Sequence, residues 1–152
     1  MRHTDGLEYA IKQVDLKEDD PMDYMKEIEH LGSFRHPSII TFKDAFITPS
    51  NSKNTAMHVV MEIMNKGTLA GLIASNSVGQ QTSEDSVWKM AIQLLSGLDY
   101  LHELDVVHLN IKQGNTFVKT DSLGSLEFKL GDLNDSELNI SSDRYDKDPL
   151  KI

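Results

Sequence analysis

The chain begins to alternate at Leu7. Through Leu7-Glu8-Tyr9-Ala10-Ile11-Lys12-Gln13-Val14, one side carries Leu7, Tyr9 and Ile11 and the other Ala10, Lys12 and Val14. That period of two belongs to a strand. It leaves Lys12 on a face that Ala10 and Val14 make apolar, a poor place for a charge without a partner. Asp19-Asp20-Pro21 is a helix start: Asp20 caps, Pro21 suits the first turn and Asp23 favours the positive end of the dipole. Met22, Met25, Ile28 and Leu31 then recur at helical spacing, Gly32 ends the helix, and Arg35-His36-Pro37 is a break. Residues 39–47 and 55–61 read as two further strands around a polar turn, 49–54. Met57, Val59 and Met61 share a face of the second. Three strands and one helix predict a small sheet with a helix packed against it.

The second half changes period. After the turn Asn65-Lys66-Gly67 comes a short helix over 68–75, a polar loop over 77–81, and the strongest helix of the chain over 83–103. Thr82 or Ser83 caps that helix and Glu84 and Asp85 fill its first turn. Val87, Ala91, Leu94, Leu95, Leu98 and Leu101 form its apolar stripe. Val106-Val107-His108 and Thr116-Phe117-Val118 flank a loop. Leu126, Phe128 and Leu130 alternate in a strand that ends at Gly131-Asp132. From Asp135 to Ile152 the chain is polar and aperiodic, and an irregular tail is expected. The class is α+β.

Composition narrows the chemistry. The chain has 152 residues, 15 Lys and Arg against 24 Asp and Glu, a net charge of -9 and no cysteine. The length by itself suggests one domain. Lack of cysteine removes disulfides, thiolate metal sites and thiol nucleophiles. The acidic balance argues against nucleic acid and against anionic membrane surfaces as partners. No apolar run approaches the roughly 20 residues of a membrane span, and the start has no apolar core of a signal peptide. An intracellular, most simply cytoplasmic, protein is expected, so the sequons at Asn134 and Asn139 are read as chance matches. His102-Glu103 opens like a zinc-protease motif, but position 106 is Val rather than His, and no G-x-S-x-G occurs.

Four features stand in order: a strand with an inward Lys12, a helix with Glu27, a loop reading His108-Leu109-Asn110-Ile111-Lys112-Gln113-Gly114-Asn115, and a strand ending in Gly131-Asp132-Leu133-Asn134. With its spacer lengths this set resembles the eukaryotic protein kinase domain. Tyr9-Ala10-Ile11-Lys12, Glu27 through Arg35-His36-Pro37-Ser38-Ile39, and Lys112 look most like the NIMA-related Ser/Thr kinases. The resemblance covers the start of the chain to about Asp135. It implies a partial two-lobed fold: a small-lobe part over 1–61, a hinge over 62–66 and a large-lobe part over 67–134, then the tail over 135–152. It implies ATP and magnesium as cofactors, with Lys12 on the nucleotide phosphates and Glu27 holding it. Ala10 would line the adenine pocket, Met61 would be its gatekeeper, Glu62-Ile63-Met64 its hinge and Phe117 its floor. Asn115 and Asp132 match the magnesium ligands, and Lys112 the lysine that supports the transferred phosphate.

The pattern departs from the family where the chemistry is done. Asn110 stands at the position of the catalytic Asp, and an amide cannot accept a proton near neutral pH, a loss of about 10²–10⁴-fold. Leu109 replaces an Arg that would answer a phosphorylated activation loop, and Leu133-Asn134 replaces Phe-Gly after the metal Asp. No G-x-G-x-x-G occurs, and no activation segment or Ala-Pro-Glu follows Asn134. The resemblance thus implies a slice from the middle of a domain of roughly 250 residues. Three functions stay open: an inactive pseudokinase-like binding or scaffolding module, an active Ser/Thr kinase transferring the ATP γ-phosphate to protein, and a non-functional truncated product. The stripe of the 83–103 helix lacks a complete set of covering helices. Each exposed Leu-sized side chain forgoes roughly 1.5–3 kcal/mol, against a net stability of about 5–15 kcal/mol. Self-association or a protein partner is therefore expected.

Overall fold

In a computed structural model of the chain, residues 6–16, 28, 32–50, 54–75, 83–133 and 137–138 are described. Three strands, β1 (Tyr9–Leu16), β2 (Phe42–Ser50) and β3 (Asn54–Glu62), form an antiparallel sheet in the order β1-β3-β2. Two helices follow, α1 (Leu69–Ser75) and α2 (Glu84–Glu103). Strand β4 (Val106–Val107), a 3-10 turn over Gln113–Asn115, the hairpin β5 (Thr116–Thr120) and β6 (Leu126–Leu130), and β7 (Glu137–Leu138) complete the order. This is the mixed α+β arrangement of a kinase-like small lobe and the start of its large lobe.

The strand ends differ from the alternation for physical reasons. β1 runs two residues past Val14 because Leu16 opposite Thr55 is buried and packs with Ile28, Met57 and Val59. Pro49 and Ser50, expected in the turn, belong to β2. That strand is an edge of the sheet, where a residue lacking an N–H is tolerated. Of the helix expected up to Gly32, Ile28 and Gly32 lie among the described residues. The Gly32 amide donates to the Ile28 carbonyl at 2.7 Å, and a Cβ on Gly32 would fall 2.5 Å from the Phe42 ring. In the stretch expected to be irregular, Glu137–Leu138 pairs antiparallel with Val106–Val107. Two residues carry too little alternation to announce a strand.

α2 begins where its cap was read. The Ser83 hydroxyl accepts the Ser86 amide at 3.2 Å. Leu94, Leu98, Tyr100 and the fully buried Leu101 pack on Phe34, Ile39, Val106, Leu130 and Leu133. Val87 and Leu95, expected in the same stripe, instead stay exposed together with Trp88 and Ile92. A second apolar face of α2 therefore has no cover among the described residues.

The contrast is measurable. Leu101→Ala is expected to lose about 2–5 kcal/mol in denaturant unfolding. Leu95→Ala in the monomer is expected to change stability by less than about 0.5 kcal/mol. Equal losses would refute the assignment of the inner and outer faces.

Candidate functional site

The β1–β3 register sets Ala10 opposite Met61 and Lys12 opposite Val59, so all four share one face of the sheet. Below that face lie the β5–β6 hairpin and the 3-10 turn. Between them is a cavity of about 480 Å³, within the roughly 300–1,000 Å³ of ligand sites. Ala10, Val59, Met61 and Phe117 make its apolar slot. Ile28, Ile40 and Phe42 close its inner end, and Lys12, Asn115 and Asp132 form its polar end.

The backbone brings that polar end together. Leu130 donates to the Ser38 carbonyl and accepts from the Ile40 amide, both at 2.8 Å, which ties the two halves. The Gly131 amide donates to the Asn115 carbonyl at 3.0 Å, setting the loop beside the end of β6. A Cβ on Gly131 would lie 2.8 Å from both Ile40 and Phe117, so only glycine fits there. Asp132 follows with φ of 60°, a left-handed conformation that Asp tolerates better than most residues. From there its Oδ1 meets the Lys12 ammonium directly. Lys12 thus finds a partner for its apolar face in Asp132. Glu27, the partner expected from the resemblance, lies outside the described residues, as does Asn134.

The loop residues are placed differently. The Asn110 amide donates to the His108 carbonyl at 2.8 Å, and the Asn110 carbonyl accepts the Asn115 side-chain amide at 2.9 Å. Asn115 is buried and lines the cavity, whereas Asn110 and the exposed Lys112 do not line it. The Lys112 carbonyl accepts the Asn115 amide and the Thr116 hydroxyl. Leu109 is exposed at φ of 58°, a strained setting for a bulky residue. His108 is buried, its Nδ1 faces the Asn110 amide at 3.4 Å, and its Nε2 has no hydrogen-bond partner among the described residues.

Glu62 and Met64 also lie outside the cavity lining. Met64 is buried and its carbonyl accepts the Gly67 amide at 2.9 Å. The Glu62 carboxylate accepts from the Thr41 amide at 2.8 Å and pairs with Lys129 at 2.6 Å and Lys119 at 3.7 Å. Lys119 also pairs with Glu127 at 3.1 Å. Burial raises the Glu62 carboxyl, but the hydrogen bonds from Lys129 and Thr41 outweigh it and hold the group below its ordinary 4.5. Burial likewise pulls on Lys119, and Glu127 and Glu62 hold it above the ordinary lysine value. The buried Lys129 escaped the sequence reading. The alternation Leu126, Phe128, Leu130 puts Lys129 with Glu127 on the opposite, nominally polar face of β6, so its burial had no signal in the pattern.

Among the described residues, no cluster of three or more His, Asp or Glu side chains is arranged to hold a metal ion. No helix there is long and apolar enough to cross a membrane.

The family model for the protein kinase domain matches residues 1–147. A probable serine/threonine-protein kinase of Dictyostelium discoideum is 34% identical over 121 residues, covering 79% of this chain and 7% of that protein. MAP3K epsilon protein kinase 1 of Arabidopsis thaliana is 33% identical over 138 residues, covering 88% of this chain and 10% of that protein. The serine/threonine-protein kinase Nek3 of Mus musculus is 27% identical over 138 residues, covering 91% of this chain and 25% of that protein. The chain therefore spans a quarter or less of the length of these relatives.

The Glu62 cluster sets an acid limb. Because its folded value is depressed, the stability Glu62 contributes is fully present above pH 4.5 and is lost as pH falls through the lower folded value. Glu62→Gln is expected to cost roughly 1.5–3 kcal/mol at neutral pH. That gap should close in denaturant titrations run below pH 4.5. A gap that does not change with pH would count against the charged pair.

Proposed function

The chain belongs to the protein kinase domain family, and from that premise we propose that it is a Ser/Thr-kinase-type, pseudokinase-like module that binds rather than catalyses. The observation that carries this reading is Asn110 at the catalytic position. Its backbone is engaged in the loop by His108 and Asn115, so the loop conformation stands without the carboxylate that would take the substrate proton. A side-chain amide there can accept or donate a hydrogen bond but cannot serve as a base. Residues 135–152 are proposed as a tail to a partial kinase domain over 1–134. Tyr9-Ala10-Ile11-Lys12 and the Arg35-His36-Pro37 break support a NIMA-related origin, and the mouse relative named above is one such kinase by likeness.

Members of the family use ATP and magnesium. The cavity fits the nucleoside part of ATP: its slot is apolar on both faces, with Ala10 and Met61 on one and Phe117 on the other. The residues present fit the metal poorly. Asp132 is the one carboxylate among the described lining residues, and Lys12 neutralises it. The Asn115 Nδ2 donates to the Asn110 carbonyl, and its Oδ1, the atom a cation would meet, is uncharged. No phosphotransfer step is therefore derived for this chain.

The proposed working surface of the module is the outer face of α2. Val87, Trp88, Ile92 and Leu95 are each between 46% and 65% exposed, an apolar patch of the kind that marks interaction sites. A protein partner or a second copy is its proposed occupant.

Two measurements test this reading. With γ-labelled ATP and a general protein substrate, neither the wild type nor Asn110→Asp should transfer phosphate above background. Catalytic turnover by the wild type would overturn the proposal. Sedimentation velocity over a concentration series should show reversible association that Trp88→Glu weakens. A monomer at all concentrations, stable without a partner, would remove self-association.

A further inference from the structure

The outer face of α2 follows a heptad whose ends are charged. Trp88 and Leu95 stand one heptad apart with Ile92 between them, and all three are exposed. Asp85 and Asp99 stand one heptad before and one heptad after Ile92, so the apolar stripe ends in a carboxylate on both sides. Both aspartates are exposed, and neither is in an ion pair among the described residues. Glu103 extends the acidic character by a further turn. The helix has one lysine and no arginine, and that lysine, Lys89, turns aside to donate to the Ser125 hydroxyl on the β5–β6 hairpin. The face is thus apolar in its middle and acidic at both ends, with no lysine or arginine of its own to offset the carboxylates.

This distribution chooses between the occupants. A second copy seated antiparallel on the stripe would set Asp85 of each copy against Asp99 of the other, and a parallel one would set each aspartate against its own counterpart. Either way like charges meet at both ends of the contact, between chains that each carry a net charge of -9. Self-association through Trp88 is consequently weak and strengthens with added salt. A helix with apolar side chains at the same spacing and Lys or Arg at its ends meets no such repulsion. It covers the stripe and pairs both carboxylates.

We propose that the outer face of α2 docks an amphipathic helix of another protein, apolar along its middle and basic at its ends. The proposal rests on the binding-module reading above and names the chemistry of the partner.

Trp88 is the only tryptophan of the chain, so its emission reports cover on this face. Two synthetic peptides of about 20 residues, both free of tryptophan, separate the possibilities. One has leucines at the stripe spacing and lysines at both ends; the other has glutamates in place of the lysines. Titrated into the 152-residue chain, the lysine peptide is expected to move Trp88 emission to shorter wavelength and to bind about tenfold or more tighter than the glutamate peptide. Raising the salt should narrow that gap. The double variant Asp85→Lys/Asp99→Lys should invert the preference, and Leu95→Ala should weaken the lysine peptide by about fivefold or more. Equal binding of the two peptides, or a lysine-peptide affinity that the double variant leaves unchanged, would overturn the inference and leave the binding-module reading standing. No emission change with either peptide would also overturn it, and the sedimentation series on the chain alone then decides that reading. The peptide comparison on the wild type needs no variant, so it holds even if a variant misfolds.

Discussion

The arrangement of this molecule depends on how Leu130 is held. Its amide and carbonyl are both paired with the 38–40 segment at 2.8 Å, and its side chain is completely buried against Ile39, Leu101 and Val106. Two hydrogen bonds alone are worth only about 1 kcal/mol each. Set inside a packed cluster, however, they fix position to the tolerance of the core. The next residue, Gly131, has no space for a side chain between Ile40 and Phe117, and the residue after that is Asp132. The meeting of Asp132 with Lys12, which comes from a strand about 120 residues earlier, is thus a consequence of where Leu130 is pinned.

Among the described residues, ion pairs at Glu62 and at Lys12 join the same two halves, and their surroundings give them different roles. The Lys129 side chain is 8% exposed and meets Glu62, which is further held by Thr41 and Lys119. Removing one partner from such a pair strands a largely buried charge, a loss of roughly 1.5–3 kcal/mol. The Lys12–Asp132 pair is 41% and 26% exposed, in the range where water competes and a pair contributes about 0–1 kcal/mol. The first is a tether between the end of β3 and β6. The second can be opened cheaply, but opening it frees an anion as well as a cation.

Much of this was legible in the sequence, because periodicity reports burial directly. The alternation around Ala10 and Lys12, the cap at Ser83 and the strand ending at Gly131-Asp132 all correspond to elements of the structure, and Ala10, Lys12, Met61, Asn115, Phe117 and Asp132 line one cavity. What escaped depends on contacts between distant segments. The sequence pattern cannot say that Glu62 turns to Lys129, since 67 residues separate them. It cannot tell that β2 is an edge strand able to carry Pro49, which follows from the order β1-β3-β2. Nor does it announce left-handed backbone at Leu109 and Asp132, residues without the usual glycine signature.

Helix α2 holds a further constraint. Leu94, Leu98 and Leu101, spaced by four and three residues, face the core. Trp88, Ile92 and Leu95 repeat the same spacing on another face and remain in solvent. A surface helix needs one apolar stripe; two stripes belong to a helix enclosed on both sides. The inner stripe is satisfied by β4, β6 and the 34–39 segment. The outer stripe has no counterpart among the described residues, and burying each of its side chains would return roughly 1.5–3 kcal/mol. That gain is large beside the net stability of a domain of this size. The free energy of α2 is therefore set jointly by the core it already has and by whatever covers its outer face.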